Sequence, residues 1–390
     1  MIATDLPGYY VVPPITAPVP SPLRTDVAGF AGRALQGPVG EPVLVQSLEE
    51  YELYFGPATS GRLGGAVRGY FDNGGELAWV VRCSNEQPRD APYLDVHRLL
   101  DQAQVALLVL PDIWDHLGSD LAHGAPRAIA SMAQAAHASL DRMLLLDLPE
   151  NTNESAAEAN RVLTLLDQTL PSREARAVAL YHPWIYVEQR PGKQGGGLQR
   201  VPPGGHVAGL ISRLDRERGP GRSPANAPLF DAVDLCVGPL SSPESVLVAR
   251  RVNPIRSVSG QGVQVWGART FERAQAGRFL AHRRLLHRLV KACREAGDAL
   301  VFEPNDERLR LGLAQTMRSV LLQAYRSGAL AGRTDEEAFL VRCDDTTTLP
   351  ADRDAGRLIC LIQLTPANPM EVIKVQLIVA AEGRLEVIEL

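Results

Sequence analysis

Between Val96 and Glu188, short apolar runs alternate with helix-length segments, and this alternation restricts the fold more than any other feature of the chain. Val105 to Leu110, Met143 to Leu148 and Ala177 to Val187 read as strands whose apolar runs lack the polar alternation of a half-exposed strand. Leu121 to Leu140 is an Ala-rich helix, and Glu154 to Leu170 reads as a second helix capped near Asn153. Apolar strands joined by helices predict βαβ units and a parallel sheet covered on both faces.

The α/β pattern begins upstream of this region. Val27 and Phe30 to Ala31 suit a strand, Gln36-Gly37-Pro38 a turn, and Pro42 to Val45 a second strand. Ser47, with Glu50 three residues on, forms a capping-box signature for a helix whose apolar face is Tyr51, Tyr54 and Phe55, stopped by Gly56-Pro57. A helix from Gly64 to Asn73 and a strand from Leu77 to Arg82 complete the unit. With 390 residues, 45% of them hydrophobic, the chain has room for two or three domains. No run approaches the roughly 20 apolar residues of a membrane span, and MIATDLPGYY lacks the basic and apolar regions of a signal peptide, so synthesis and assembly in the cytoplasm are expected.

Parallel sheets take ligands at the carboxyl ends of their strands. The polar residues there are Asp112, Asp115 and His116, then Asp147 and Glu150, with His182 inside the third strand. Such a set suits a metal or hydrolase site, but acids after strands also serve as helix caps and turn formers, and neither HExxH nor GxSxG occurs. In Arg251 to Thr270 (RVNPIRSVSGQGVQVWGART), Gly260, Gly262 and Gly267 lack the spacing of a phosphate loop and predict a tight loop feeding a half-buried strand through Val263, Val265 and Trp266. Trp266 and the glycines are expected to serve packing and close backbone approach. Cys83, Cys236, Cys293, Cys343 and Cys360 are widely spread without a CxxC pair, so buried free thiols are expected. The net charge of −5 argues against a general nucleic-acid coat. No catalytic residue, metal or cofactor is expected.

After Arg251 to Thr270 come two strong helices. In the first, Phe279, Leu286, Leu289, Val290 and Cys293 recur at helical spacing, while Arg283, Arg284, Arg288, Lys291 and Arg294 read as a solvated surface. The second, from about Asp306 to Ser327, aligns Leu313, Met317, Val320, Leu321 and Ala324 and places Arg308, Arg310, Arg318 and Arg326 elsewhere. Aromatic residues are not interleaved with these charges, which weakens a nucleic-acid reading. At the N-terminus, Leu6 to Val12 (LPGYYVV) precedes the proline-studded Pro13 to Pro22 and reads as an extended arm or as an edge strand folded on its own domain. At the C-terminus, Leu358 to Leu364, Glu371 to Val379 and LEVIEL form either a hairpin about Glu382-Gly383-Arg384 or a last strand donated to a neighbour.

Several ordered segments, taken together, resemble one family. TDVAGFAGRALQGPVGEPVLVQSLEEYELYFG from Thr25, AVRGYFDNGGELAWVVR from Ala66, SPAN from Ser223, VNPIRSVSGQGVQVWGART from Val252, VFEPNDE from Val301, FLVRCDDTTT from Phe339 and GRLICLIQLTPANP from Gly356 are similar to contractile tail sheath proteins of phage tails, R-type bacteriocins and related injection systems. Only Ser84 to about Pro203 is weakly covered. The resemblance implies an N-terminal arm at 1–24, an α+β core in two segments at 25–90 and 206–390, and an inserted outer α/β domain at 91–205. It implies that Tyr9, Tyr10, Val11 and Val12 of the arm, and Val372, Ile373, Val375, Leu377 and Val379 of a C-terminal strand, reach neighbouring subunits. Arg310 and Arg318 would face an acidic inner tube. The implied partners are other copies of the chain, the tube protein, baseplate and terminal cap proteins, sibling sheath subunits and a AAA-type ATPase, with no direct nucleic acid. The implied function is a non-enzymatic sheath subunit, assembled in the cytoplasm and then part of a phage tail or tail-like particle, that contracts from a metastable extended state. A non-contractile ring or baseplate-proximal relative is one alternative, kept by the proline-rich arm and by the tail running through Arg384 to Leu390. A cytoplasmic α/β enzyme with its site in the 96–188 sheet is the other.

Overall fold

The structure is a computed structural model that describes residues 24–84, 94–102, 104–115, 124–189, 197–219, 221–274, 278–298, 307–326, 328–367, 373–379 and 385–389. The N-terminal part contains β1 (Ala28–Gly32), β2 (Pro42–Val45), α1 (Leu48–Phe55), α2 (Arg62–Asp72) and β3 (Ala78–Arg82). Ser47 caps α1 as its sequence predicts, its Oγ accepting from Glu50 N at 3.2 Å. The return bond is shifted by one residue, because Glu50 Oε2 accepts from Gln46 N at 2.7 Å.

Next come β4 (Leu107–Val109), α3 (Ala125–Ser139), β5 (Met143–Asp147), α4 (Ala156–Thr169), β6 (Val178–His182), β7 (Ile185–Glu188), β8 (Leu198–Val201) and α5 (Gly204–Arg218). The cap of α4 is Ser155 rather than Asn153, with Ser155 Oγ accepting from Glu158 N. β9 (Ala227–Pro228), β10 (Ala232–Leu235), α6 (Glu244–Ala249), β11 (Val252–Val258) and β12 (Gly262–Val265) follow.

Nine of these strands form one sheet, ordered β2-β3-β1-β4-β5-β6-β11-β12-β9. The six from β3 to β11 run parallel, and β2, β12 and β9 add antiparallel edges. Both faces are buried, one with Tyr51, Val67 and Leu210 of α1, α2 and α5, the other with Ile129, Met132 and Leu163 of α3 and α4. The sheet takes strands from 25–90, 91–205 and 206–390, so it runs unbroken across the boundaries expected at 90 and 205.

Two expectations change here. The single strand over Ala177 to Val187 is two, because Pro183 lacks an N–H and the chain turns there, sending β7 to pair with β8 and β10 in a three-stranded antiparallel sheet. The loop expected over Gly192 to Gly205 includes β8, whose exposed Leu198 and half-polar sequence carry little apolar signal.

The C-terminal unit comprises α7 (Leu280–Asp298), α8 (Glu307–Arg326), α9 (Asp335–Ala338), β13 (Phe339–Arg342), α10 (Pro350–Asp354), β14 (Leu358–Leu364), β15 (Ile373–Val379) and β16 (Leu385–Glu389). Its four strands form an antiparallel sheet in sequence order. Leu286, Leu289 and Val290 of α7 and Leu313, Met317 and Leu321 of α8 share a core with Cys360, Ile362 and Leu377 of the sheet.

The basic side of α7 corrects the sequence reading, since Arg283, Arg284 and Lys291 are buried. α7 is sandwiched: its apolar stripe serves the C-terminal core, and its basic side lies on α5 and on the chain entering β1. Arg284 pairs with Asp215 and donates to Thr25 O at 2.9 Å, while Lys291 Nζ points at the carbonyls of Arg24 and Gln104. Burial lowers the Lys291 amine to about 8, against the opposing pull of Asp141.

Cysteine usage changes too. β13 and β14 pair with Arg342 opposite Leu361, which sets Cys343 opposite Cys360, and the two form a disulfide with Cα atoms 4.4 Å apart. Cys83, Cys236 and Cys293 form no disulfide and are buried, as expected. The bridged pair lies 17 residues apart, and only the strand register shows that the two face each other.

Candidate assembly interface and the closed strand ends

The carboxyl ends of the parallel strands, where an enzyme of this topology would hold its substrate, are filled by the protein's own groups. Asp112 Oδ2 accepts from Arg33 N at 2.7 Å. Burial raises this carboxyl to about 6, and β1 packs so closely that a β-carbon on Gly32 would stand 2.4 Å from the same oxygen. Asp147 Oδ1 accepts from Gly204 N at 2.8 Å, at the first residue of α5. Burial raises its carboxyl to about 8, against the opposing pull of the Gly204 N–H.

Arg62 bridges two further acids at these strand ends. It pairs with Asp115 and, at 2.9 Å, with Glu150, and its guanidinium stacks over the Trp184 ring at 4.7 Å. His182 is buried, and that burial lowers its imidazole to about 4; its Nδ1 lies 3.4 Å from Thr152 Oγ1. His116 lies outside the described residues. The structure therefore joins Asp115 to Glu150 through Arg62, with Asp112 within the electrostatic reach of Asp115 and Arg62, and keeps Asp147 and His182 in separate positions. Among the described residues, no group of three or more His, Cys, Asp or Glu is placed to hold a metal ion.

Arg251 to Thr270 forms the β11–β12 hairpin. Gly260 and Gly262 have φ of +75° and +77°, the left-handed values its turn requires. Gly267 has a different role: a β-carbon there would lie 2.7 Å from Asn253 Oδ1. Asn253 is buried and fully used, donating to Leu180 O and Arg269 O and accepting from Arg269 N. Close approach thus holds for Gly267. Trp266 departs from the packing expectation, being 39% exposed with the Arg256 guanidinium 4.3 Å above its ring.

Of the residues expected to reach neighbouring subunits, Tyr9, Tyr10, Val11, Val12 and Val372 lie outside the described residues. Ile373, Val375, Leu377 and Val379 fall on β15, and the last three are buried in the C-terminal core. β15 is an inner strand of this chain's sheet, with Val375 opposite Ile362 of β14 on one side and Glu389 of β16 on the other. The outer strands are β13 and β16, where Leu340 and Ile388 are exposed.

Arg310 and Arg318 differ in environment. Arg310 pairs with Asp345, which Arg353 also approaches at 3.3 Å. Arg318 is exposed, on the outward side of α8 with Arg308, Gln315, Arg326 and Leu311, the last 58% exposed. Sequence periodicity missed Leu311, because an apolar residue off the main stripe gives no signal of its own.

No protein-family model and no curated protein matches the chain, but solved structures do. It aligns over 95% of its length with 98% of a chain of the anti-feeding prophage helical sheath in its contracted state, at 24% identity and a TM-score of 0.68. The chain has the sheath-protein fold. The sheath complex of an extracellular contractile injection system, also contracted, matches this fold at 24% identity and a TM-score of 0.69, over 95% of this chain and 96% of that one. The sheath tail protein of Listeria innocua keeps the sheath fold at 11% identity, with a TM-score of 0.63 over 92% of this chain and 96% of that one.

Proposed function

We propose that this chain is the structural subunit of a contractile sheath, which polymerises helically around an inner tube and drives it through a target envelope by passing from an extended, metastable array to a shorter, wider one. The observation that carries this reading is the sheath fold running through nearly the whole of both aligned chains, the C-terminal unit included. Such a subunit works through many small interface gains summed over a cooperative array, and it needs no cofactor.

In this reading the β15–β16 segment is the exchangeable part. The β14–β15 ladder made within one chain can be made between copies with the same register, and a head-to-tail exchange of this kind generates an open helix. Residues Tyr9 to Val12 supply the second link. The outward side of α8, led by Arg318, meets the acidic tube, while Arg310 braces the Asp344-Asp345 turn. The further partners are the baseplate, a terminal cap, sibling sheath subunits and a AAA-type ATPase, and the product belongs to a phage tail or tail-like particle.

One observation favours a second reading. A chain of the 6-fold symmetrised anti-feeding prophage baseplate structure also matches, at 22% identity and a TM-score of 0.67 over 95% of this chain. This fits a baseplate-proximal ring subunit as well as a sheath ring resting on the baseplate. Negative-stain electron microscopy of the purified chain separates the two: hollow cylinders support the sheath subunit, isolated rings the alternative, and a monodisperse monomer under all conditions contradicts both.

A further inference from the structure

One corner of the nine-stranded sheet gathers more positive charge than it neutralises. Asp167 of α4 receives three guanidiniums, from Arg250 at 3.2 Å, from Arg251 and from Arg273 at 3.3 Å. Beside it, Glu272 is consumed by Ser172 Oγ at 2.7 Å, by Arg176 Nε at 2.9 Å and by the N–H groups of Arg273 and Ala274. Exposed Arg173 is next to Ser172, and Arg273 is 49% exposed along its side chain. Around Asp167, three guanidiniums thus meet one carboxylate, and among the described residues Arg250, Arg251 and Arg273 pair with no other. Guanidinium forks are matched in geometry to carboxylates, and the one these three share is already taken.

The C-terminal unit shows the reverse imbalance. Asp335, Glu336 and Glu337 are consecutive in α9, just before β13, an outer strand of the sheet. Among the described residues none of the three makes an ion pair; Glu337 Oε2 accepts only from Arg333 N, at 2.8 Å. The two surfaces lie on different units of the molecule, and each lacks what the other presents.

We propose that the Arg173–Arg250–Arg251–Arg273 corner receives the Asp335–Glu337 turn of a second copy of this chain. This inference rests on the assembly reading above and adds to it a specific contact. Because the two surfaces differ, the contact is heterologous, and each copy keeps one of each free for the next. Desolvating the guanidiniums against carboxylates of a neighbour fixes which face of the array meets which, and makes that contact sensitive to salt.

The test is the critical concentration for cylinder formation by the full chain, read by sedimentation and checked by electron microscopy. The pair Arg173→Glu and Arg273→Glu is expected to raise it about tenfold or more, as is the pair Glu336→Lys and Glu337→Lys, and combining all four changes to bring it back to within about threefold of the unchanged chain. Either pair assembling like the unchanged chain overturns the contact. So does a combined variant that assembles no better than the worse pair while keeping a native circular dichroism spectrum. Normal assembly of the unchanged chain together with indifferent variants removes this contact alone, whereas an unchanged chain that never assembles removes the assembly reading and the contact with it.

Discussion

Arg284 of α7 and Asp215 of α5 form a buried ion pair that joins the C-terminal unit to the large sheet's helical layer. Arg284 Nη1 donates to Asp215 Oδ1 at 2.7 Å, and Thr25 Oγ1 donates to the other carboxylate oxygen at 2.7 Å. The carboxylate is therefore matched on both oxygens, and the guanidinium also reaches Thr25 O.

Breaking one side of such a pair leaves an uncompensated buried charge. Arg284→Met is expected to destabilise the chain by about 3–5 kcal/mol, measured by urea unfolding, and Arg284→Met with Asp215→Leu to recover most of that loss. A single variant as stable as the unchanged chain contradicts the assigned role.

Asp147 gives a pH prediction. Its folded carboxyl holds a proton up to about 8, against 3.8 for the free group, so the folded chain binds that proton more tightly than the unfolded chain. This group's contribution to stability is present below about pH 4 and is lost as pH rises toward 8. Asp147→Asn keeps an acceptor for Gly204 N without the titration. It is expected to raise the melting temperature at pH 8 and to leave it nearly unchanged at pH 4, which differential scanning calorimetry at the two values checks.

Gly267 tests the β11–β12 hairpin. Gly267→Ala forces a methyl group against Asn253, whose amide joins β11 to β6 and to Arg269, and is expected to cost about 1–3 kcal/mol in denaturant unfolding. Gly260→Ala meets no neighbouring atom within 4 Å and pays only the cost of its left-handed backbone, about 1 kcal/mol.

The Cys343–Cys360 bond predicts a labelling result. Alkylation of the unfolded chain without reductant should modify Cys83, Cys236 and Cys293 alone, and with reductant all five cysteines. Replacing both bridged cysteines by serine should cost about 3 kcal/mol, the value for a loop of this length.

Much of the fold is written locally. Val105 to Leu110 and Met143 to Leu148 read as strands because residues buried on both sheet faces give an apolar run that nothing else in a chain of this size explains. Ser47 marks a helix start through a bond spanning three residues, whereas the α4 cap falls on Ser155, two residues past the expected Asn153. The basic side of α7 was not legible, because helical period reports one apolar stripe and is silent about a second buried side. Arg284 finds Asp215 across 69 residues and Thr25 across 259, which no local pattern records. The disulfide was hidden likewise, since it depends on the register of β13 against β14. At the strand ends the acids were found by position, but Arg62, which fills the space among Asp115, Glu150 and Trp184, sits in a different part of the sequence and carries no motif.

As a contractile sheath subunit in the reading proposed above, this chain would change the length of an array and not merely form one. Coexpression with its own tube and baseplate proteins, followed by cryo-electron microscopy of the purified particles before and after a denaturant or acid trigger, measures sheath length and diameter in both states. The expected result is a long, narrow cylinder that becomes shorter and wider while the tube keeps its dimensions. A cylinder or ring of the same length and diameter under every trigger would contradict it.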